Sequence, residues 1–282
     1  MKPRSIAALP LAPLLALVAC IAEPVSPPAP APAAPASPPP AETRPVTAAA
    51  SEVQLFRIVS ESIDQPTVIE LSPLLQECSV SVERFFGGRF RSFTLTVLPD
   101  RAAFDASFPP EWGLSKTECW MVATGTADGV HLLSPRVWKT EACEHDPADD
   151  VHLRGVLAHE LVHVYHGQHN PSPDFLDVAG IDWFVEGLAT LASGQLADAR
   201  LLNARGALES GQGPATLATA WTGRYRYGVS GSLVAFVEHE LGRARLPELL
   251  AASSGGELLD LIGMSEEELL ERWRAWVLAG NG

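Results

Sequence analysis

The chain has 282 residues, 46% of them hydrophobic, and a formal charge of −14, enough for one or two compact domains with a packed core. The acidic balance, with no basic stripe able to track phosphates, argues against nucleic acid as a partner. Its 24 prolines are unevenly spread, and they divide the chain into a leader, a spacer and a folded part.

Lys2 and Arg4 precede an apolar run from Ile6 to Ala19 that contains Pro10 and Pro13. Too short to span a bilayer, this run reads as a secretory signal over residues 1–19. Its end, Leu17-Val18-Ala19-Cys20, resembles a bacterial lipobox, in which the Cys thiol is acylated and becomes the new N-terminus. The resemblance implies a lipid anchor on Cys20 and a place in the cell envelope. With Ile21 rather than Asp next, it points to the outer membrane or a periplasm-facing site. From Glu23 to Ala50 the sequence is nearly all Pro, Ala and Ser. Such a stretch cannot bury a core and favours extended polyproline II, rising about 3.1 Å per residue. Residues 20–50 are therefore read as anchor and tether, and residues 51–282 as the folded domain.

Val53, Leu55, Phe56 and Ile58 suggest a first strand. Ser72-Pro73 reads as the start of a helix that Gly87-Gly88 end. Phe93, Leu95 and Val97 alternate with Thr94 and Thr96, the pattern of a half-buried strand. A short helix is expected over Arg101 to Ser107. Met121–Thr124 and Val130–Leu133 flank Ala127-Asp128-Gly129, the pattern of a hairpin. The second half is helical: a helix capped by Asp149 or Asp150 and running to Gly167, another over Ile181–Ser193, and a third over Gly228–Leu241 ended by Gly242. Ser265 with Glu268 opens a last helix through Trp273 and Trp276. Strands first and helices later predict an α+β fold with mostly antiparallel strands.

The chemistry concentrates in His159-Glu160-Leu161-Val162-His163. On a helix, positions i and i+4 share a face, so both imidazoles can approach one zinc ion. Glu160 lies beside the first of them and can take a proton from a water that the metal has brought to a pKa of about 7. Leu153, Val156, Leu157, Leu161 and Val164 make the helix largely apolar, and a buried helix does not carry two His and a Glu without partners for them. Zinc needs a third protein ligand. Glu186, an acid within the apolar run Trp183-Phe184-Val185-Glu186-Gly187-Leu188-Ala189, is the preferred candidate, because a bare carboxylate is costly there. His169 is the alternative; it has the spacing of a metzincin third His, but His166 stands where that pattern needs Gly.

The pair of segments, His159-Glu160-x-x-His163 and Trp183-Phe184-x-Glu186-Gly187-x-Ala189, resembles the gluzincins, the clan that includes thermolysin and aminopeptidase N. Tyr227-Gly228-Val229-Ser230 before a Gly-terminated helix, and Glu271-Arg272-Trp273-Arg274-Ala275-Trp276 in a last helix, are similar to the bacterial peptidase MA-like domains. The resemblance covers residues 51 to 278. It implies a zincin-like domain, with a sheet lobe packed on a helical lobe and zinc in the cleft between them. It also implies hydrolysis of peptide or protein substrates, with His159, His163 and Glu186 on the metal and Glu160 as base. Tyr227 would donate to the oxyanion, a part that Tyr225 could take instead. One hairpin strand would border the cleft and pair with substrate backbone. Thr190 stands where thermolysin-like enzymes place an Asp behind a zinc His, which leaves that orienting bond unassigned. The competing reading is a zincin-fold binding or scaffold module with little catalysis.

Among the other histidines, His152, His166, His169 and His239 are expected at the surface or in caps, with His166 also able to line the cleft. Cys119 and Cys143 lie in polar, loop-flanked segments and are the expected disulfide of an oxidising compartment. Cys78, in an apolar stretch, is expected as a buried thiol. No Cys-x-x-Cys spacing supports a cysteine zinc site. The absence of a Gly-x-Met-x-Asn-like run tilts the expectation toward endopeptidase action.

Overall fold

The computed structural model describes residues 55–280. The signal segment, Cys20 and the Pro/Ala-rich tether lie outside the described residues, as does Val53. Strand β1 (Phe56–Ser60) leads into helix α1 (Gln65–Phe86), which returns the chain to β2 (Phe93–Leu98). Parallel neighbours need a crossover of this kind, and β1 and β2 pair in parallel from Phe56↔Phe93 to Ser60↔Val97. α1 begins earlier than Ser72-Pro73 suggested. Pro66 occupies its first turn, and Pro73 sits inside it. That interior proline deprives the Ile69 carbonyl of its helical donor. Ile69 is 74% exposed, so water can take the place of that donor.

Asp100 accepts from the Ala103 amide at 2.8 Å and starts α2 (Arg101–Ala106). Next comes the expected hairpin, β3 (Ala123–Thr126) and β4 (Gly129–Leu133), joined at Ala127-Asp128. The sheet order is β1-β2-β4-β3, with β4 parallel to β2 and β3 antiparallel to β4. The expectation of mostly antiparallel strands is therefore corrected. Alternation reveals a strand's buried face but not its direction, and direction here is set by the helical crossovers. β3 is left as the antiparallel edge strand. It runs hard against the next long helix: a Cβ on Gly125 would collide with the Glu160 carbonyl and lie 3.1 Å from His163 Cβ.

After the short α3 (Trp138–Glu141), that helix is α4 (Asp150–His169), capped by the Asp149 carboxylate on the His152 amide at 2.9 Å. From Val156 to Gln168 it is buried without interruption, as expected for a helix enclosed on all sides. The sheet and α1 pack on one side. On the other lie α5 (Asp182–Ala192), α6 (Asp198–Glu209) and α7 (Arg226–Leu241). α5 crosses α7 at Gly187, where a Cβ would meet the Ser230 backbone and lie 2.6 Å from its carbonyl carbon. Three further helices, α8 (Leu246–Leu249), α9 (Gly255–Ile262) and α10 (Glu266–Leu278), close the helical side. The Trp273 indole N–H in α10 donates to Ser232 Oγ of α7 at 3.0 Å, and the Ser265 hydroxyl caps α10 by accepting from the Glu268 amide. The fold is α+β with a single contiguous core. Cys119 and Cys143 are bonded, and Cys78 is a buried free thiol that burial pushes up to about 11.

Candidate metal centre

α4 carries His159 and His163 one turn apart, with ring centroids 4.8 Å from each other. Their exposures are 0% and 1%. The crossing of α5 over α4 brings Glu186 to them from a separate element. Glu186 Oε2 is 3.3 Å from His159 Nε2, and its Oε1 is 3.8 Å from His163 Nε2. One ligand atom from each of the three lies within 4.8 Å of the others, a grouping that could hold a metal ion.

The electrostatics suit such an ion. Burial, with the neighbouring His159 and His163's other neighbour His166, holds the His163 imidazole well below its ordinary pKa, so it is neutral and offers a lone pair. Burial pushes the Glu186 carboxyl up, while a hydrogen bond and charge at His159, together with the Arg226 cation, pull it back. Both ring nitrogens of His163 are buried without a hydrogen-bond partner. Orphaned buried polar groups cost about 1–3 kcal/mol each, and a cation between these donors would relieve that cost. Two imidazoles and one carboxylate, with no thiolate, match the donor set of an open zinc site.

The bond that the sequence left unassigned comes from Gln195. Its Oε1 lies 3.0 Å from His159 Nδ1. An amide oxygen only accepts, so Nδ1 carries a proton, and Nε2 is the ring nitrogen turned toward Glu186. Gln195 follows Gly194, whose positive φ of 79° turns the chain after α5. Thr190 is fully buried, and its hydroxyl has no hydrogen-bond partner, so it does not take that part. Glu160 lies between the two histidines on α4, 2% exposed. Tyr227, in the first turn of α7, is 5% exposed with its ring 6.3 Å from that of His159. Tyr225 instead lies under the Arg224 guanidinium at 4.4 Å and is half-buried. Of the two tyrosines, Tyr227 is the one brought to the centre.

Protein-family models, curated proteins and solved structures were all compared with the chain, and none matches. The centre therefore rests on its own geometry.

That geometry bears on the alternative third ligand and corrects one histidine expectation. His169, the alternative ligand, is exposed at the end of α4, stacked on Tyr165 at 4.4 Å, with Nδ1 2.7 Å from the Tyr165 carbonyl oxygen. It does not join the cluster. His166 is not at the surface: it is fully buried between Phe175 and Phe184, and burial pushes its pKa down to about 3. His152 is half-buried against His145, and His239 is exposed as expected. Beside Tyr227 the rim carries three residues that sequence reasoning did not single out, Trp120, Trp221 and Arg226, whose ring and guanidinium contacts meet there.

Proposed function

We propose that this protein is a zinc-dependent peptidase of zincin-like architecture, tethered to the bacterial envelope through a lipid on Cys20. The observation that carries the reading is the convergence of three buried ligand groups, His159, His163 and Glu186, with an acid, Glu160, between the two histidines. Zinc held by those three residues would supply a Lewis acid and water activated near neutral pH. Glu160 accepts the proton of the attacking water and passes it to the departing amine nitrogen. Tyr227 donates its phenol proton in a hydrogen bond to the substrate carbonyl oxygen as negative charge gathers there. Gln195 keeps His159 in the tautomer that presents Nε2. The edge strand β3, close above α4, offers unpaired backbone groups to an extended substrate.

The test is zinc content and cleavage of a mixed fluorogenic peptide library by the full chain and by Glu160→Gln. We expect about one zinc in each. We also expect cleavage by wild type alone, with the variant slower by about 10²–10⁴-fold, the usual yield of a general base. Zinc in both with cleavage by neither would favour the binding-module reading. Failure to take up zinc after reconstitution would end the proposal. The same full chain should enter the detergent phase on partition, whereas Cys20→Ser should not; equal partition would remove the anchor.

A further inference from the structure

We propose that the Arg226 guanidinium, held at the rim of the metal centre by Trp120, Trp221 and Tyr227, binds a carboxylate of the substrate. On this reading the peptides cut carry a carboxylate one to three residues from the scissile bond. The inference rests on the peptidase reading and adds a substrate class to it.

Arg226 Cζ lies 5.3 Å from the Trp120 ring centroid, 5.4 Å from that of Trp221 and 5.3 Å from that of Tyr227. The three rings come from different places: the loop before β3, the segment before α7, and α7 itself. Ring contacts hold a guanidinium without using its N–H fork, the part that grips a carboxylate in two hydrogen bonds. Arg226 Nε is buried and has no hydrogen-bond partner. Arg136, Arg154, Arg205 and Arg272, by contrast, each hold a carboxylate of this chain, and among the described residues Arg226 holds none. The anion that feels it is Glu186, whose carboxyl it helps to lower. Once Glu186 is committed to a metal dication, Arg226 is left without a carboxylate ion pair among the described residues.

The support around it is rigid. The Trp120 carbonyl accepts from His145 Nε2 at 2.9 Å, and the neighbouring Cys119 is tied to Cys143 by the disulfide and by the Cys143 amide at 3.1 Å. Spacing is also right. The Tyr227 ring separates Arg226 from His159, 5.3 Å on one side and 6.3 Å between rings on the other. An extended chain advances about 3.3–3.6 Å per residue, so a carboxylate on Arg226 sets a peptide bond one to three residues away at the metal ligands. In a chain of charge −14, which repels anions at long range, a local guanidinium is what would make such a substrate bind. The carboxylate has two sources, a free C-terminus or an acidic side chain. The first would replace the endopeptidase expectation with trimming from the C-terminus.

The experiment measures calorimetric affinity of the metal-free full chain for three probes: N-acetyl-trialanine, its carboxamide, and that carboxamide with aspartate in the middle position. Cleavage of the same probes by the zinc-loaded chain is measured alongside. The free acid should bind at least about tenfold tighter than the carboxamide, as charge-assisted bidentate pairing allows. The ratio should fall to near one in Arg226→Gln and survive in part in Arg226→Lys, with circular dichroism showing both variants folded. The aspartate probe matching the acid would assign the side-chain source, and matching the plain carboxamide would assign the C-terminus. Equal affinity for acid and carboxamide, no measurable binding of the acid, or a preference that survives in Arg226→Gln would overturn the assignment. If the preference holds but no peptide is cut, the peptidase reading fails and the carboxylate site stands. Cleavage with no preference for acids gives the reverse.

Discussion

The Nδ1 proton of His159 is held by Gln195 Oε1 at 3.0 Å, and that bond decides which nitrogen faces Glu186. Partners of this kind orient a metal-binding imidazole, and their loss costs about 10–100-fold in metal affinity. Gln195→Leu should therefore weaken zinc binding by about that factor in a chelator competition while leaving His159, His163 and Glu186 in place. Unchanged affinity would mean that packing alone orients the ring. The side chains of the candidate centre were legible in the sequence, because i,i+4 spacing puts His159 and His163 on one helical face and because Glu186 is an acid among apolar neighbours. Gln195 was not. A polar residue in a glycine turn carries no pattern, and its reach to His159 exists only once α5 has crossed α4. Arg226 was hidden in a similar way, as an ordinary cation near a helix start until Trp120 and Trp221 are seen beside it. The burial of His166 was missed because a histidine on a helix face reads as polar, whereas this face is closed by Phe175 and Phe184.

At the scale of elements, α4, α5, α7, the expected hairpin and α10 show what periodicity and caps can deliver, whereas α6 was not anticipated. Asp149, Gly242 and Ser265 end or begin helices as their chemistry suggests. Strand direction and the true start of α1 were beyond that reach, since pairing partners lie far apart in sequence and Pro73 looks like a first-turn proline until Pro66 is seen in that place. The crossing that delivers Glu186 depends on the bare backbone of the residue after it. A Cβ on Gly187 would press on the Ser230 backbone and lie 2.8 Å from Val234 Cγ2. Backbone cannot yield as a flexible side chain does, so Gly187→Ala should destabilise by about 1–3 kcal/mol, in the range of overpacked cores. It should also lower zinc affinity by tilting Glu186 away. Gly206, inside α6, has open space where a methyl group would stand, with nothing within 4 Å, and Gly206→Ala should instead stabilise by about 0.5–1 kcal/mol through helix propensity. Urea unfolding of both variants checks the contrast. Equal effects would show that the α5–α7 contact is not tight.

Across the whole molecule, buried imidazoles set the response to acid. Burial pushes His145 down to about 4, with the Trp120 carbonyl opposing and the His152 and Arg101 charges adding to the fall. His145 Nδ1 and His152 Nε2 stand 2.5 Å apart, and burial lowers His152 as well. Unfolded, both rings take up protons near 6.5. Between about pH 6.5 and 4 the unfolded chain therefore binds more protons than the native one, so stability rises with pH and falls on acidification. For His145 the loss amounts to about 3 kcal/mol once pH has dropped to 4, at about 1.4 kcal/mol per pH unit. Glu186 and Asp182 have the opposite sign, since a carboxyl raised by burial favours the native state at low pH. They are two groups against several lowered imidazoles, and a bound metal would remove the titration of Glu186, so the imidazoles should win. The unfolding midpoint in urea should fall steadily from pH 7 to 4.5, and His145→Gln, which keeps an amide donor for the Trp120 carbonyl, should flatten that slope. A midpoint that held or rose on acidification would mean that His145 is charged in the native protein. Because His145 braces the loop that carries Trp120, the acid-weakened region is also the one that holds Arg226, and carboxylate selectivity should fade over the same pH interval before the fold does.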